Sequence, residues 1–264
     1  MQTVTSADGT EIAYERRGDG PPLVLVHGTS GNHHGWDEVA PLFAASFTVY
    51  ALDRRGRGES GDAEAYSIER EYADVAAVVE AADAEADEGE STTLLGHSYG
   101  AICSLNAVLE TDALDRLLLY EPPLGDVPVR GGFASDLETV IEESGAEAGL
   151  ETFLRDAVGM SEAEIDAMRA EDVWTGRVDA APTIPREIRE TQRDLFDPDA
   201  FADVEIPATL FVGGESPASM QDATDSIAAA FPNGRVVSLP GQEHIATQVA
   251  PEAFVEAVLD AIDA

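Results

Sequence analysis

The chain has 264 residues, of which 44% are hydrophobic, and it carries 52 Asp and Glu residues against 15 basic ones, all arginine, for a formal net charge of −37. The hydrophobic share excludes a disordered chain, and the length suits one α/β domain with an insertion. The negative surface disfavours nucleic acid and anionic membranes as partners. A single cysteine, Cys103, excludes an intrachain disulfide, and its helical surroundings indicate a small buried side chain.

Apolar runs along the chain predict seven strands. In chain order they are Glu11–Glu15, Leu23–Val26, Phe47–Leu52, Thr92–Leu95, Leu117–Tyr120, Thr209–Val212 and Val236–Leu239. Helical patterns separate several of these strands and cover Ile68–Glu85, Ala101–Glu110, Ala218–Ala230 and Pro251–Ile262. Continuous apolar strands alternating with helices are typical of a parallel sheet covered on both faces. The Glu11–Glu15 segment alternates between polar and apolar residues instead, which indicates an antiparallel edge strand.

The alternation of strands and helices stops between Pro122 and Ile206. This segment contains helical patterns but no convincing strand, and prolines interrupt it. The helical patterns are Leu137–Glu143, Gly149–Val158 and Glu162–Glu171. We therefore expect residues 122–206 to form a helical cap inserted into a core made of residues 1–121 and 207–264.

A serine lies between two glycines in Gly96-His97-Ser98-Tyr99-Gly100, between a predicted strand and a predicted helix. This context is typical of a nucleophile elbow, in which a sharp turn holds the serine in a strained conformation and presents its hydroxyl to solvent. The bare pattern also occurs by chance in glycine-rich turns. The strand-turn-helix context favours Ser98 as a nucleophile.

Four segments resemble motifs of the α/β-hydrolase superfamily, and together they span nearly the whole chain. They are His27-Gly28, Asp53–Ser60, the Gly96–Gly100 elbow and the histidine loop Pro240–His244. Asp53–Ser60 resembles the superfamily's D-x-R-G-x-G-x-S loop, which implies that Asp53 and Ser60 stabilise a turn near the site. The resemblance implies an α/β-hydrolase fold, with a mostly parallel central sheet flanked by helices and an inserted helical cap.

A serine hydroxyl needs a general base and donors for the oxyanion. In this fold the nucleophile, the acid and the histidine follow one another along the chain, and His244, after the last strand, fits that order. The other histidines are assigned to a strand-end turn, to the elbow itself and to a loop before Trp36: His27, His97, His33 and His34. The backbone amides of Thr29 and Tyr99 are expected to bind the oxyanion.

The acid departs from the commonest superfamily pattern. After the penultimate strand, members usually carry G-x-x-D, but here Ser216 takes the aspartate's place. Serine cannot supply the negative charge that favours an imidazolium. Glu121, at the end of the Leu117–Tyr120 strand, is the favoured replacement, because some superfamily members place their acid there. Glu215 is the main alternative, and Asp222, Asp225 or no acid at all remain open.

Aromatic and histidine side chains could line an acyl pocket or pack in the core. These candidates are His33, His34, Trp36, Phe153 and Trp174. No Cys/His cluster or HExxH pattern indicates a metal site. We therefore expect no metal and no cofactor.

The sequence predicts a serine hydrolase acting on a small-molecule carboxylic ester. Serine at position 98 disfavours the haloalkane dehalogenases and epoxide hydrolases of the superfamily, because these use an aspartate nucleophile. Ser98, His244 and the acid could instead hydrolyse a carbon–carbon bond, an amide or a lactone, or support a haloperoxidase-like reaction. A non-catalytic binding protein on a hydrolase fold is an alternative of another class. The oligomeric state stays open.

The acidic residues are spread along the chain rather than gathered in one tail. At about 1 M salt the Debye length is about 3 Å, so surface carboxylates barely repel one another while keeping the protein hydrated. The composition resembles that of haloarchaeal cytoplasmic proteins and indicates adaptation to high salt. The N-terminal segment lacks a basic and an apolar region, so we expect a cytoplasmic protein without membrane contact.

Overall fold

The computed structural model describes residues 1–124, 130–193 and 196–263, and the strands within them form one eight-stranded sheet. In chain order the strands are β1 (Gln2–Thr5), β2 (Glu11–Arg17), β3 (Pro22–Val26), β4 (Thr48–Leu52), β5 (Thr93–His97), β6 (Arg116–Tyr120), β7 (Ala208–Gly213) and β8 (Gly234–Leu239). Their order in the sheet is β1-β2-β4-β3-β5-β6-β7-β8. β1 and β2 are antiparallel to their neighbours, and the other six strands run parallel.

The parallel part of the sheet is buried on both faces because its strands are apolar throughout. Every residue of β3, β4 and β7 is buried. In the register of the sheet, Val24 lies between Tyr50 of β4 and Leu94 of β5. All seven predicted strands are present, and the additional strand β1 was missed because it is short, polar and mostly exposed.

Helices cover both faces of the sheet. The helices are α1 (Ala40–Phe43), α2 (Ile68–Ala84), α3 (Tyr99–Ala107), α4 (Phe133–Ser144), α5 (Ala146–Phe153), α6 (Glu162–Arg169), α7 (Trp174–Ala180), α8 (Ile184–Thr191), α9 (Ala218–Ala230), α10 (Ala246–Val249) and α11 (Pro251–Asp263). Val75 of α2, Ile102 of α3 and Ile227 of α9 belong to the core on one face. Phe43 of α1 and Phe254 of α11 belong to the core on the other.

The helices α4 to α8, called the cap helices below, lie between β6 and β7 in the chain. They share a hydrophobic cluster of their own, which includes Leu137, Leu150, Ile165 and Ile184. The described part of this segment contains no strand, in agreement with the pattern of the sequence. Residues 125–129 and 194–195 of the segment assigned to the cap, and Ala264 of the core, lie outside the described residues.

The carboxyl ends of the parallel strands meet at one edge of the sheet. Ser98 directly follows β5, Glu121 directly follows β6, and His244 lies in the loop after β8. In open α/β sheets ligands bind outside this edge. The topology therefore brings together three side chains that are far apart in the chain.

Candidate active site

The turn between β5 and α3 holds Ser98 in a strained conformation. Its φ of 56° and ψ of −126° lie outside the helical and extended regions, and a positive φ is uncommon for a residue other than glycine. The Ser98 N–H donates to the Tyr120 carbonyl at 2.9 Å, which fixes the turn against β6. Gly100 has no room for a Cβ, which would overlap the backbone oxygens of Val26 and His27. The elbow thus has the geometry that its sequence predicts.

A chain of hydrogen bonds joins three side chains at the carboxyl edge of the sheet. Nε2 of His244 lies 3.0 Å from Oγ of Ser98. Nδ1 of His244 lies 2.6 Å from Oε2 of Glu121. Because a carboxylate only accepts, Nδ1 carries the proton, which leaves Nε2 free to accept the Ser98 hydroxyl proton. The arrangement has the geometry of a nucleophile, its base and an acid that orients the base.

Glu121 is fully buried, and its ionised form is held by three donors. Oε1 accepts hydrogen bonds from the Gly213 amide at 2.7 Å and from the Ser216 hydroxyl at 2.5 Å, while Oε2 accepts from His244. Burial raises the pKa of Glu121, but the hydrogen bonds from His244, Ser216 and Gly213 outweigh it and hold the pKa below its usual value. The carboxylate is therefore charged at neutral pH.

The other acids considered from the sequence do not contact His244. Glu215, Asp222 and Asp225 are exposed, and none of them forms a hydrogen bond to His244 within the described residues. Ser216, at the position where superfamily members usually carry an aspartate, is buried and donates to Glu121 instead. Among these candidates the structure brings only Glu121 to the histidine.

Two side chains that sequence reasoning did not assign to the site hold the loop of His244. Nε2–H of His97 donates to the His244 carbonyl at 2.8 Å, and the His97 ring stacks on Tyr120 with centroids 4.9 Å apart. The Tyr120 hydroxyl donates to the Glu243 carbonyl and accepts from the Ala246 amide. Burial and the neighbouring His244 lower the pKa of His97 to about 3, so its ring is neutral at neutral pH.

The turn after β3 passes close to Ser98. A Cβ on Gly28 would lie only 2.9 Å from Cβ of Ser98. Thr29 follows Gly28 and lines the same cavity as Ser98 and Tyr99. The backbone amides of Thr29 and Tyr99 remain the predicted oxyanion donors.

A cavity of about 830 Å³ opens onto Ser98 and His244, with walls from both the core and the cap helices. Trp36 and Phe153, two of the side chains assigned to a pocket from the sequence, line it. Apolar cap side chains complete the wall on that side: Leu154, Met160, Met168 and Ile188. The cavity is large enough for a small organic ligand.

The other three side chains assigned to the pocket do not line this cavity, so that part of the prediction is corrected. Nδ1 of His33 lies 2.8 Å from the buried carboxylate of Asp53, and this hydrogen bond raises the pKa of His33. His34 is exposed beside Asp37. Trp174 packs in the cluster of the cap helices, where Nε1–H donates to Glu147 at 3.0 Å.

The Asp53–Ser60 loop has the structural role that the resemblance implies. The Asp53 carboxylate accepts from the backbone amides of His33 and Glu59. Ser60 donates its hydroxyl to the Asp53 carbonyl and accepts from the Ala13 amide. These bonds tie the loop to β2 and to the turn after β3.

A buried charge cluster joins the same loop to the cap helices. Arg54 pairs with Glu71 of α2 and with Glu187 of α8, and Arg57 pairs with Glu187 as well. The Arg54 guanidinium lies 4.4 Å from the ring centroid of Tyr99, the residue after Ser98. The cluster therefore links the elbow, the loop and α8.

A family model described as the alpha/beta hydrolase family matches residues 23–257, nearly the whole chain. The chain belongs to the alpha/beta hydrolase family. An alpha/beta hydrolase from Sphaerobacter thermophilus, known from a crystal structure, shares 34% sequence identity with this chain. The two structures match with a TM-score of 0.84 over 99% of this chain and 100% of that one.

Two further hydrolases match almost end to end. The (E)-2-((N-methylformamido)methylene)succinate hydrolase of Acinetobacter baylyi is 26% identical over 262 residues, which cover 97% of this chain and 96% of that protein. An esterase of a Rhodococcus species is 24% identical, with a TM-score of 0.76 over 100% of this chain and 98% of that one. The chain is an enzyme with hydrolase activity, which speaks against the alternative of a non-catalytic binding protein.

The described residues contain neither a cluster of metal-ligating side chains nor a helix that could span a membrane. No group of three or more His, Cys, Asp or Glu side chains in residues 1–124, 130–193 and 196–263 is placed to hold a metal ion. Within the same ranges no helix has both the length and the apolar character to cross a membrane.

Proposed function

We propose that this alpha/beta hydrolase is a serine hydrolase of small carboxylic esters that works without a cofactor. Ser98 is the nucleophile, His244 the base, Glu121 the acid that orients it, and the amides of Thr29 and Tyr99 bind the oxyanion. The observation that carries the proposal is the hydrogen-bonded chain Ser98–His244–Glu121 at the wall of the cavity. The esterase of a Rhodococcus species supports the choice of an ester.

The reaction follows from these groups. Oγ of Ser98 attacks the ester carbonyl carbon as its proton moves to Nε2 of His244, and the carbonyl oxygen becomes an oxyanion. The tetrahedral intermediate collapses, the ester C–O bond breaks, and the alcohol leaves with the proton from His244. Water then attacks the acyl-Ser98 ester by the same route, which releases the acid and restores the serine. The charge of Glu121 stabilises the imidazolium in both halves.

Amide hydrolysis is the second candidate. The hydrolase of Acinetobacter baylyi, which matches nearly the whole chain, is named for a substrate with an N-methylformamido group, which contains an amide bond. The mechanism would be the same, with His244 giving its proton to the leaving nitrogen rather than to an alcohol.

Initial rates on matched methyl esters and N-methyl amides, measured in concentrated KCl by release of acid or amine, test the proposal. We expect ester hydrolysis that falls by about 10⁴-fold or more in Ser98→Ala. Ser135→Ala, a change of an exposed serine on α4, is the matched control and should keep the rate. A rate on amides that exceeds the rate on esters would favour the second candidate. Hydrolysis that survives in Ser98→Ala would contradict both.

A further inference from the structure

Arg177 of α7, unlike most arginines of this chain, forms no ion pair with a carboxylate of the described residues. Within the described residues, all but three of the 15 arginines form an ion pair with a carboxylate. The exceptions are Arg116, Arg177 and Arg235. Of these, Arg177 lines the cavity that contains Ser98 and His244. In a chain with 52 acidic residues, a cavity cation without a carboxylate partner needs an explanation.

The guanidinium of Arg177 has free donors. Nη1 donates to the Ser30 hydroxyl at 3.3 Å, and this is its one hydrogen bond to the described residues. Nε is buried and has no partner among them. Burial lowers the pKa of Arg177, and Glu171 opposes this shift only partly, yet an arginine stays charged in proteins. A desolvated cation with unused N–H groups is unfavourable unless an anion pairs with it and accepts hydrogen bonds from those groups.

The free edge of Arg177 has the shape that a carboxylate fits. Nη2 of Arg177 has no hydrogen-bond partner among the described residues and, unlike Nε, is not fully buried. The two Nη groups of a guanidinium can donate in parallel to both oxygens of one carboxylate. The residue that anchors Nη1, Ser30, follows Thr29 directly, so the guanidinium lies beside the turn of the predicted oxyanion donor. The charge of Arg177 also lowers the pKa of His97, which contacts the His244 loop. An anion bound by Arg177 would therefore lie in the same cavity as the reacting bond.

The carboxylates on the cavity wall do not cancel the attraction of Arg177 for an anion. Glu215, Asp222 and Glu243 line the cavity but are exposed, and exposed charges are strongly screened by salt. Glu121 and Glu187 also line it, but Glu121 is neutralised by the donors Gly213, Ser216 and His244, and Glu187 by Arg54 and Arg57. Within the described lining, Arg177 is the cationic side chain that an anionic substrate group would meet.

We propose that Arg177 binds a free carboxylate on the substrate, so that the enzyme prefers monoesters of dicarboxylic acids over neutral esters of the same length. This inference rests on the proposed ester hydrolysis and adds to it the class of acyl group. Arg177 is a specificity residue in this account, and it takes no part in proton transfer.

The test compares pairs of methyl esters that differ only in a terminal carboxylate or methyl group. Monomethyl succinate, glutarate and adipate are matched with methyl butyrate, pentanoate and hexanoate. In the wild type we expect kcat/KM to favour the acid in at least one pair. Arg177→Gln should lower that ratio by about 10- to 100-fold, mainly through KM, because a hydrogen-bonded charge pair is lost. Arg177→Lys should retain part of the preference, since it keeps the charge without the bidentate edge.

Arg130→Gln is the matched control. It removes the same charge from a side chain that is 70% exposed and lies outside the cavity lining, so the ratio should stay at the wild-type value. A wild-type preference for every neutral ester would overturn the inference. Equal losses on both members of a pair in Arg177→Gln would also overturn it, because Arg177 would then act on the reacting carbonyl.

A binding measurement separates this inference from the proposed function. Calorimetric titration of Ser98→Ala with the monomethyl esters reports binding without turnover. If the wild type hydrolyses no ester but Ser98→Ala binds the acids and the Ser98→Ala/Arg177→Gln double variant does not, the proposed ester hydrolysis fails and the carboxylate site stands. If neutral esters are hydrolysed and neither variant binds the acids, the proposed function stands and the carboxylate site fails.

Discussion

The hydroxyl of Ser216 donates to Oε1 of Glu121 at 2.5 Å, while the other oxygen of the same carboxylate accepts from His244. Position 216, where superfamily members usually carry an aspartate, thus donates to the carboxylate that we propose as the acid. In the proposed site the acid lies at the end of β6, and β6 pairs with β7, the strand that leads to Ser216. A negative charge thus lies beside the His244 imidazole although position 216 is a serine.

Replacing Glu121 by Gln should reduce kcat/KM on an ester by about 10³- to 10⁴-fold, because a neutral amide neither stabilises the imidazolium nor selects its tautomer. Glu215→Gln is the matched control and should stay within about threefold, since an exposed rim charge contributes little. Steady-state kinetics on the two variants test this. A severe loss in Glu215→Gln with a mild one in Glu121→Gln would assign the acid to Glu215.

The double variant Glu121→Gln/Ser216→Asp should recover at least about tenfold of the rate lost in Glu121→Gln. Oγ of Ser216 already lies within hydrogen-bond distance of the Glu121 carboxylate, so an aspartate there brings a negative charge back toward His244. Ser216→Asp alone should be slower than the wild type, because two buried carboxylates then repel each other. Kinetics of all four proteins form a double-mutant cycle. No recovery in the double variant would show that position 216 cannot orient the base.

Much of this arrangement could be predicted because it depends on local sequence. The elbow of Ser98 is a steric consequence of adjacent residues, and the apolar runs of the parallel strands follow from burial on both faces. The contact of His244 with Ser98 could be expected from chain order, and that of Glu121 with His244 from its position at a strand end. The short polar strand β1 has no such signal.

The rest depends on contacts between residues far apart in the chain. Tyr120 reaches the His244 loop across more than a hundred residues, and nothing in its neighbourhood indicates this. His33 and His34 precede Trp36 in a plausible pocket loop, yet His33 is drawn to the buried carboxylate of Asp53. Arg177 has no carboxylate partner among the described residues, and its neighbours in the sequence do not indicate this.

The buried cluster around Glu187 should be important for stability. Glu187→Gln leaves Arg54 and Arg57 with an uncompensated buried charge, and breaking a buried pair in this way costs about 3–5 kcal/mol. Glu69→Gln, which breaks the exposed pair with Arg193, is the control and should lower the free energy of unfolding by about 0–1 kcal/mol. Denaturant titrations at fixed salt compare the two. Equal effects would mean that the cluster contributes nothing beyond a surface pair.

The net charge of −37 should make stability depend strongly on salt. We expect the melting temperature to rise as KCl increases from about 10 mM to about 2 M, because the Debye length falls from about 30 Å to below about 3 Å and self-repulsion is screened. Circular dichroism at each salt concentration measures this, with sucrose of equal osmolality as an uncharged control. An unchanged cooperative melt at low salt would contradict the proposed adaptation to high salt.

In the proposed mechanism His244 activates Ser98 as a nucleophile. Labelling with a fluorophosphonate in concentrated KCl, read by peptide mass spectrometry, tests it without any assumption about the substrate. We expect a single modified serine, Ser98, and loss of the label in His244→Ala. Folded wild-type protein that takes up no label, or that keeps the label in His244→Ala, would contradict it.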